Sequence, residues 1–233
     1  KGHLLIGTYI GIQMYDPATD NFTPLAKLED TGETLESNIN SFIERKNGEI
    51  WVSGNVLCKL DIKDHLLTVR KVDIAVTSPG SLFEDKKQNV WMAKGEEGVY
   101  QLTPDNQLTL HLSKDNGYVK SICEDQRGNI YVGSIRKGLF IYDKERKTFV
   151  PVDLKEKGEL PVCFLYSGIP NELYIGTDGK GVAIYNIRTH EISEYKFDNN
   201  YFDSGNSKIH SILKDNSGNL WLAVYQKGVI LIP

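Results

Sequence analysis

The feature that most constrains this chain is an aromatic residue that recurs at a nearly fixed interval. It occupies positions 51, 91, 131, 174 and 221, so the interval is about 40 to 47 residues, and Leu5 fills the same place at the front. A serine lies ten residues before the aromatic in four units, and a glycine lies seven residues after it in four. Several coincident columns at one period are the signature of a repeat architecture.

One repeat, residues 121–143, shows the content of the unit. Three short runs rich in β-branched and aromatic residues read as strands: Ser121–Glu124, Ile130–Gly133 and Leu139–Tyr142. Gly, Asn and Asp fill the turns between them, and Thr148–Val152 supplies a fourth strand after a hairpin. Four strands in this period are typical of a β-propeller blade. The apolar spacing of three and four residues that a helical solenoid requires is missing.

The whole chain divides into six such units, with boundaries at about 3–28, 39–73, 80–112, 119–153, 162–197 and 208–231. The first unit lacks its first strand and the last lacks its fourth. We therefore predict an all-β fold, one β-propeller domain or arc within residues 1–233, built of six four-stranded-type units with three-stranded units at the ends. Because the two end units do not combine into one blade, we expect the chain to be an arc of a larger propeller.

Composition excludes several function classes. The net charge of −4 lacks the basic footprint of a nucleic-acid-binding protein. No apolar run approaches the ~18 residues of a membrane span, so we expect no membrane contact by this region. Cys58, Cys123 and Cys163 each lie in a predicted strand among apolar neighbours, and no Cys/His cluster is present. They are predicted to be buried free thiols, with no metal and no cofactor.

The repeated residues themselves are interpreted as structural. The marker aromatic is predicted to pack between neighbouring blades. The Asp-x-x-Gly-Asn turn that contains Asp85, Asp125 or Asp215 is predicted to be capped by its aspartate. Since the same residues recur from blade to blade, none of them is predicted to be catalytic or to bind metal. Neither a G-x-S-x-G elbow nor a phosphate-binding loop occurs.

A ligand site is instead expected on one rim of the propeller. Within a blade the strands alternate direction, so the loops from second to third strands and those between blades share one rim, and such loops commonly carry binding residues. The candidate aromatic and cationic residues there are Tyr9, Tyr118, Lys120, Arg136, Lys137, Lys180, Tyr201, His210, Tyr225 and Lys227, with Phe202 and Lys208 beside them.

Aromatic faces suit sugar rings, and Arg or Lys suits carboxylate or sulfate, so the rim is predicted to bind an oligosaccharide, including an acidic one. Glu96, Glu97 and Asp178 on the same rim weaken the acidic version. The alternative that these are ordinary surface side chains stays open.

The phrase S-I-C-E-D-Q-R-G-N-I-Y-V-G-S and its counterparts around residues 81–93 and 210–223 resemble the two-component regulator propeller repeat. This resemblance implies the extracytoplasmic sensor region of a Bacteroidetes hybrid two-component regulator, which would place the chain in the periplasm. It also implies a parent protein anchored in the inner membrane, with a histidine kinase elsewhere, that responds to glycan breakdown products. The parent is expected to be a homodimer. No site residue transfers by motif.

Two other functions remain in competition with ligand sensing. The propeller could serve as a non-catalytic interaction or dimerisation scaffold with no small ligand. It could also be a propeller lyase or glycosidase, which would need ionisable residues that converge on one face. We predict no catalytic residue in this region.

Overall fold

The computed structural model describes residues 3–112, 117–154, 160–196 and 206–233, and these residues contain β-strands and no α-helix. They form six sheets, and apart from the extra strand Lys27–Leu28 of the second sheet, neighbouring strands within each sheet follow one another in sequence, as in the blades of a propeller. The first and last sheets have three strands each. The predicted fold class, an all-β β-propeller of six repeat units with three-stranded units at the ends, is confirmed.

The strands of the first three sheets are as follows. The first sheet contains β1 (Leu4–Gly7), β2 (Ile12–Asp16) and β3 (Asn21–Phe22). The second contains β4 (Lys27–Leu28), β5 (Ser41–Glu44), β6 (Ile50–Ser53), β7 (Leu57–Lys63) and β8 (Leu66–Lys71). The third contains β9 (Leu82–Glu84), β10 (Val90–Lys94), β11 (Gly98–Leu102) and β12 (Leu108–Leu112).

The remaining sheets repeat the same order. The fourth contains β13 (Val119–Glu124), β14 (Ile130–Ser134), β15 (Gly138–Asp143) and β16 (Thr148–Pro151). The fifth contains β17 (Val162–Ile169), β18 (Glu172–Thr177), β19 (Val182–Asn186) and β20 (Ile192–Glu194). The sixth contains β21 (Ile209–Lys214), β22 (Leu220–Val224) and β23 (Gly228–Ile232).

Contacts divide the chain into two compact units, and the division passes through the third sheet. Unit 1 comprises Lys1–Met92 and Thr103–Leu108, and unit 2 comprises Ala93–Leu102 and Thr109–Pro233. In unit 1, Ile12 and Met14 of the first sheet pack against Val52, Leu60 and Val69 of the second, and all five are buried. This apolar layer between two sheets is the core of unit 1.

One strand departs from the predicted pattern. The first repeat is predicted to extend to about residue 28, but its last strand, β3, ends at Phe22. Lys27 and Leu28 instead pair in parallel with Thr68 and Val69 of β8, and so add a fifth strand to the second sheet. The segment turns back on itself, with Lys27 bridged to Thr34. It covers an edge of the second sheet that would otherwise present unpaired backbone groups.

In unit 2 the fourth, fifth and sixth sheets are joined by two apolar layers. Tyr131 and Leu139 of the fourth sheet lie in one buried cluster with Leu173 and Ile175 of the fifth. On the other face of the fifth sheet, Tyr174 and Val182 cluster with core residues of the sixth, namely Ile209, Ile212, Leu220, Leu222 and Val224. The fifth sheet is therefore packed on both of its faces, which explains continuous apolar runs in the sequence such as that of its second strand.

A small residue at the end of the second strand lets neighbouring sheets approach closely. If Gly176 carried a Cβ, that atom would lie 2.9 Å from Ile209 Cγ2 at the start of β21. A Cβ on Gly133 would lie 3.0 Å from Val162 Cβ at the start of β17, and one on Gly7 would lie 2.5 Å from Ile39 Cγ2. Because these glycines have no side chain, a β-branched residue of the next sheet can occupy the space beside them.

The repeated serine bonds the innermost strands of adjacent sheets. Ser121 Oγ accepts a hydrogen bond from the backbone N–H of Leu165 at 3.0 Å. In unit 1, Ser41 Oγ accepts one from the N–H of Leu82 at 3.2 Å. Both acceptors lie on the face that meets the next sheet. The serine therefore recurs in the sequence because it bonds one repeat to the next.

The acidic turn is capped by its aspartate, as predicted. Asp85 Oδ1 accepts hydrogen bonds from the N–H groups of Lys87 and Asn89, both at 2.9 Å. Its Oδ2 accepts from Asn89 Nδ2 at 2.8 Å and from the indole Nε1 of Trp91 at 2.9 Å. Asp215 repeats the whole pattern in unit 2. The carboxylate therefore connects the turn to the marker aromatic, a link that sequence reasoning missed.

The marker aromatics are buried in four of five repeats, and Tyr131 and Tyr174 lie in the apolar layers between sheets of unit 2. Trp51, Trp91, Tyr131 and Tyr174 are at most 7% exposed. Trp221 is an exception at 38%, because none of the residues that the structure describes packs a further sheet on its face. All three cysteines are buried free thiols, as predicted. Burial raises the pKa of Cys123 to about 12, so this thiol stays protonated at neutral pH.

We expect Asp85→Ala to lower the free energy of unfolding by about 2–4 kcal/mol, because it leaves several buried donors without an acceptor. Trp91→Phe removes the indole donor and one of the two fused rings, so it leaves a small cavity in the core as well and is expected to cost about 1–3 kcal/mol. Urea denaturation measures both values. Equal stability of Asp85→Ala and the unsubstituted chain would contradict this account of the turn.

Gly176→Ala is expected to cost about 1–3 kcal/mol, because the new methyl group overlaps Ile209 and forces the fifth and sixth sheets apart. The same substitution made in an Ile209→Ala background should cost clearly less, since the overlapping atoms are gone. A double-mutant cycle by urea denaturation measures this coupling. A coupling energy of zero would show that the two positions do not meet.

Candidate functional site

The predicted rim can be examined within unit 2, where backbone hydrogen bonds connect the two kinds of loop. The N–H of Ile135, after β14, donates to the carbonyl oxygen of Tyr118 at 2.9 Å. The N–H of Asp178 donates to Pro161 O at 2.9 Å, and that of Tyr225 donates to Lys208 O at 3.0 Å. Each second-to-third-strand loop therefore lies beside the segment that enters the innermost strand, as the alternation of strand directions predicts.

Five side chains from three successive sheets converge at this rim, and we call them the Tyr225 cluster: Lys120, Asp178, Lys208, His210 and Tyr225. The Nζ of Lys208 lies 3.0 Å from Asp178 Oδ2 and 5.9 Å from the centroid of the Tyr225 ring. The rings of His210 and Tyr225 have centroids 5.6 Å apart and are tilted by 45°. Tyr225 is 55% exposed, so its ring is available to solvent.

Charges in the cluster act on one another. The hydrogen bond that Lys208 donates to Asp178 raises the pKa of Lys208, so this ammonium group stays charged. Burial lowers the pKa of His210 below its usual value near 6.5, and the positive charges of Lys120 and Lys208 lower it further against the opposing effect of Asp178. At neutral pH the cluster therefore holds two ammonium groups, one carboxylate and a neutral imidazole, a net charge of +1.

A second group of predicted residues lies around the β14–β15 loop of unit 2. Arg136 Nη1 is 2.8 Å from Glu96 Oε1, and both side chains are nearly two thirds exposed. The ring of Tyr118 covers Gly95, where a Cβ would lie 3.0 Å from its Cε2. Lys137 lies in the same loop, with its backbone N–H donating to Ser134 Oγ at 3.2 Å. The partner of the Arg136 guanidinium is thus a carboxylate of this chain.

The other predicted residues are placed as follows. Lys227 Nζ donates to Ser207 Oγ at 3.0 Å, and the backbone N–H of Lys180 donates to Thr177 Oγ1 at 2.9 Å. Tyr9 belongs to unit 1 and is almost fully exposed. Tyr201 and Phe202 lie outside the described residues. Of the predicted set, the structure therefore brings together Lys120, His210 and Tyr225.

Sequence reasoning missed the partnership of Asp178 and Lys208. It placed both residues on the rim but counted Asp178 against a site for an acidic ligand. They are 30 positions apart in the sequence and lie in different loops, so no motif connects them. In the structure the pair supplies both hydrogen-bond donors and acceptors beside two rings, an arrangement that suits the hydroxyl groups and apolar faces of a sugar.

Other kinds of site find less support. No three His, Cys, Asp or Glu side chains of the described residues are grouped so that they could hold a metal ion. A search of the same residues finds no helix long and apolar enough to cross a membrane. Unit 1 contains a polar cavity of about 360 Å³ lined by residues such as Glu49, Lys59 and Arg70, and none of the predicted site residues lines it.

Comparison with known proteins agrees with the repeat. The family described as two component regulator propeller matches residues 113–136 and 203–226. The chain therefore carries two-component regulator propeller repeats in its fourth and sixth units. No curated protein sequence matches this chain.

Several solved structures share the fold. One is the extracellular domain of BT3049 of B. thetaiotaomicron, assigned as a hybrid two component system, with 18% identity and a TM-score of 0.77 over 99% of this chain. PorZ of the type-IX secretion system of Porphyromonas gingivalis has 14% identity and a TM-score of 0.74, again over 99%. Streptogramin B lyase has 15% identity and a TM-score of 0.73 over 98% of this chain and 74% of its own. The chain spans 32% of the BT3049 structure and 37% of PorZ.

We expect the pKa of His210, measured by NMR titration, to lie below 6.5 and to respond to its neighbours with opposite signs. Lys120→Gln removes a positive charge and should raise this pKa, whereas Asp178→Asn removes a negative charge and should lower it. Because the folded state holds the pKa down, His210 contributes stability above pH 6.5 that is lost as the pH falls through the folded value. Shifts of the same sign in both variants would contradict the proposed cluster.

Proposed function

We propose that this chain is a ligand-sensing propeller region of a hybrid two-component signalling protein, outside the cytoplasm in the periplasm, and that its rim binds a glycan-derived oligosaccharide. The regulator propeller repeats and the likeness to an extracellular domain of such a system support the signalling role. The observation that carries the binding role is the Tyr225 cluster, where two exposed rings stand beside an ammonium–carboxylate pair.

The cluster matches the two demands that a sugar makes on a protein. Tyr225 and His210 offer ring faces that can stack on the apolar face of a pyranose. Asp178 and Lys208 offer an acceptor and a donor that can exchange their mutual hydrogen bond for bonds to neighbouring hydroxyl groups. Both side chains of this pair are about a third exposed, so water and ligand hydroxyl groups can replace their mutual hydrogen bond on binding.

The net positive charge of the cluster favours oligosaccharides that carry a carboxylate. Lys120 is half-buried and acts electrostatically on His210, while Asp178 balances Lys208. A uronic acid placed over the Tyr225 ring would therefore meet Lys120 as its counter-ion. Arg136, in contrast, is already paired with Glu96, so its contribution requires that pair to open.

The test is calorimetric titration of the protein with a panel of neutral and uronic-acid-containing oligosaccharides. We expect Tyr225→Ala to weaken binding of every ligand by at least about 10-fold, equal to about 1.4 kcal/mol. Lys120→Gln should weaken only the acidic ligands. Lys214→Ala is the matched control, because Lys214 ends the strand that begins beside the cluster and lies roughly 17 Å along it.

Two other outcomes would replace this proposal. Turnover of a panel member would favour a lyase or glycosidase, an alternative kept open by the streptogramin B lyase fold. Concentration-dependent mass with no binding of any oligosaccharide would favour an interaction or dimerisation scaffold.

A further inference from the structure

A second cavity of unit 1 lies where the chain departs from the repeat. After β4 the chain turns and runs back along that strand, so that residues 33–37 form one wall of the cavity. Val56, just before β7, and Lys71 of β8 form the other wall, and Leu28 of β4 lies between the two. We call this the Lys71 cavity. Its volume is about 560 Å³, within the range of about 300–1,000 Å³ that small-molecule sites span.

Hydrogen bonds hold the wall of residues 33–37 in place at both ends. At one end the N–H of Leu28 donates to the carbonyl oxygen of Glu33 at 2.7 Å. At the other end Ser37 Oγ accepts the N–H of Asn55 at 2.9 Å, and Ser37 is only 2% exposed. The cavity is therefore formed before any ligand arrives, so binding does not require this segment to become ordered.

The floor of the Lys71 cavity is apolar. Leu35 is buried in the core of unit 1, and Leu28 and Val56 pack against the same core while they stay partly open to the cavity. An apolar group placed on these side chains is removed from water, and so is the surface that it covers. The floor therefore favours a ligand with an apolar part.

The charged groups of the Lys71 cavity differ from those of the smaller polar cavity in unit 1. In the smaller cavity they are paired, with Lys59 Nζ close to Glu49 Oε1 at 2.6 Å. Among the described residues no ion pair involves Glu33, Glu36 or Lys71, and all three side chains are exposed. One wall therefore offers carboxylates and the other an ammonium group, so charges of both signs are available to a ligand.

We propose that the Lys71 cavity binds an apolar α-amino acid or a short peptide with apolar side chains. The ammonium group of the ligand faces Glu33 and Glu36, its carboxylate faces Lys71, and its side chain lies on Leu28 and Val56. A neutral sugar would leave the charges of both walls without a counter-ion. A simple amine or a simple carboxylate would satisfy only one wall.

The test is calorimetric titration of the full chain with leucyl-leucine and three matched ligands. N-acetyl-leucyl-leucine lacks the ammonium group, leucyl-leucinamide lacks the carboxylate, and glycyl-glycine lacks the apolar side chains. We expect each of the three to bind at least about 10-fold more weakly than leucyl-leucine.

Substitutions assign each end of the ligand to its wall. Glu33→Gln combined with Glu36→Gln should weaken the binding of leucyl-leucine at least about 10-fold and leave that of N-acetyl-leucyl-leucine unchanged. Lys71→Gln should weaken the binding of leucyl-leucine and leave that of leucyl-leucinamide unchanged. Asp30→Asn is the matched control, because it removes an exposed carboxylate from the turn before the wall and Asp30 does not line the cavity.

The Lys71 cavity shares no residue with the Tyr225 cluster, so this proposal does not depend on glycan binding. Tyr225→Ala should leave the affinity for leucyl-leucine unchanged, and a failure to bind any oligosaccharide would leave the peptide result as it is. Circular dichroism establishes that each variant is folded before its affinity is compared.

Three results would overturn the proposal. The first is that leucyl-leucine gives no heat of binding at millimolar concentration. The second is that all four ligands bind with equal affinity. The third is that the doubly substituted glutamate variant loses affinity for leucyl-leucine and for its N-acetyl form alike, because the carboxylates would then not be recognising the ammonium group.

Discussion

The contact between adjacent sheets is the constraint on which the rest of this structure depends. The residue two places after the marker aromatic is small in all six repeats: Gly7, Ser53, Ala93, Gly133, Gly176 and Ala223. Where contacts are resolved within a unit, this position receives a β-branched side chain from the next innermost strand. Since interiors are close-packed, one larger residue here would move a whole sheet. Packing therefore restricts which residues the strands can carry, whereas the loops of the rim can vary.

How far the fold could be predicted follows from this repetition. The period, the strands of the fourth repeat and the capping role of Asp85 were predictable, because each is a local pattern that the chain states several times. The parallel strand at Lys27 and Leu28 was not predictable, because its partner Thr68 lies in another repeat and no other repeat shows such pairing among the described residues. The exposure of Trp221 was also missed. Its position in the repeat predicts a buried aromatic, but none of the described residues forms a sheet that covers it.

The candidate site was predictable in position but only in part in composition. Repeat alignment places Lys120 and His210 at the same column, one near the start of each innermost strand, so their convergence with Tyr225 follows from the architecture. The ion pairs do not follow. Arg136 with Glu96 and Lys208 with Asp178 join loops of different repeats. Whether two side chains on different loops can meet depends on the backbone conformation of both loops, which a single sequence does not give. Each ion pair also changes the local charge at the rim.

Packing and binding are connected because the Tyr225 cluster is drawn from three sheets. Lys120 belongs to the fourth, Asp178 to the fifth and Tyr225 to the sixth, so a ligand that contacts all three spans two sheet-to-sheet interfaces. The spacing of its contacts is then set by Gly133 and Gly176, which fix how closely those sheets approach. A ligand that binds best at one spacing stabilises that spacing by its differential affinity. The same small residues that hold the fold together therefore also determine the geometry of the Tyr225 cluster.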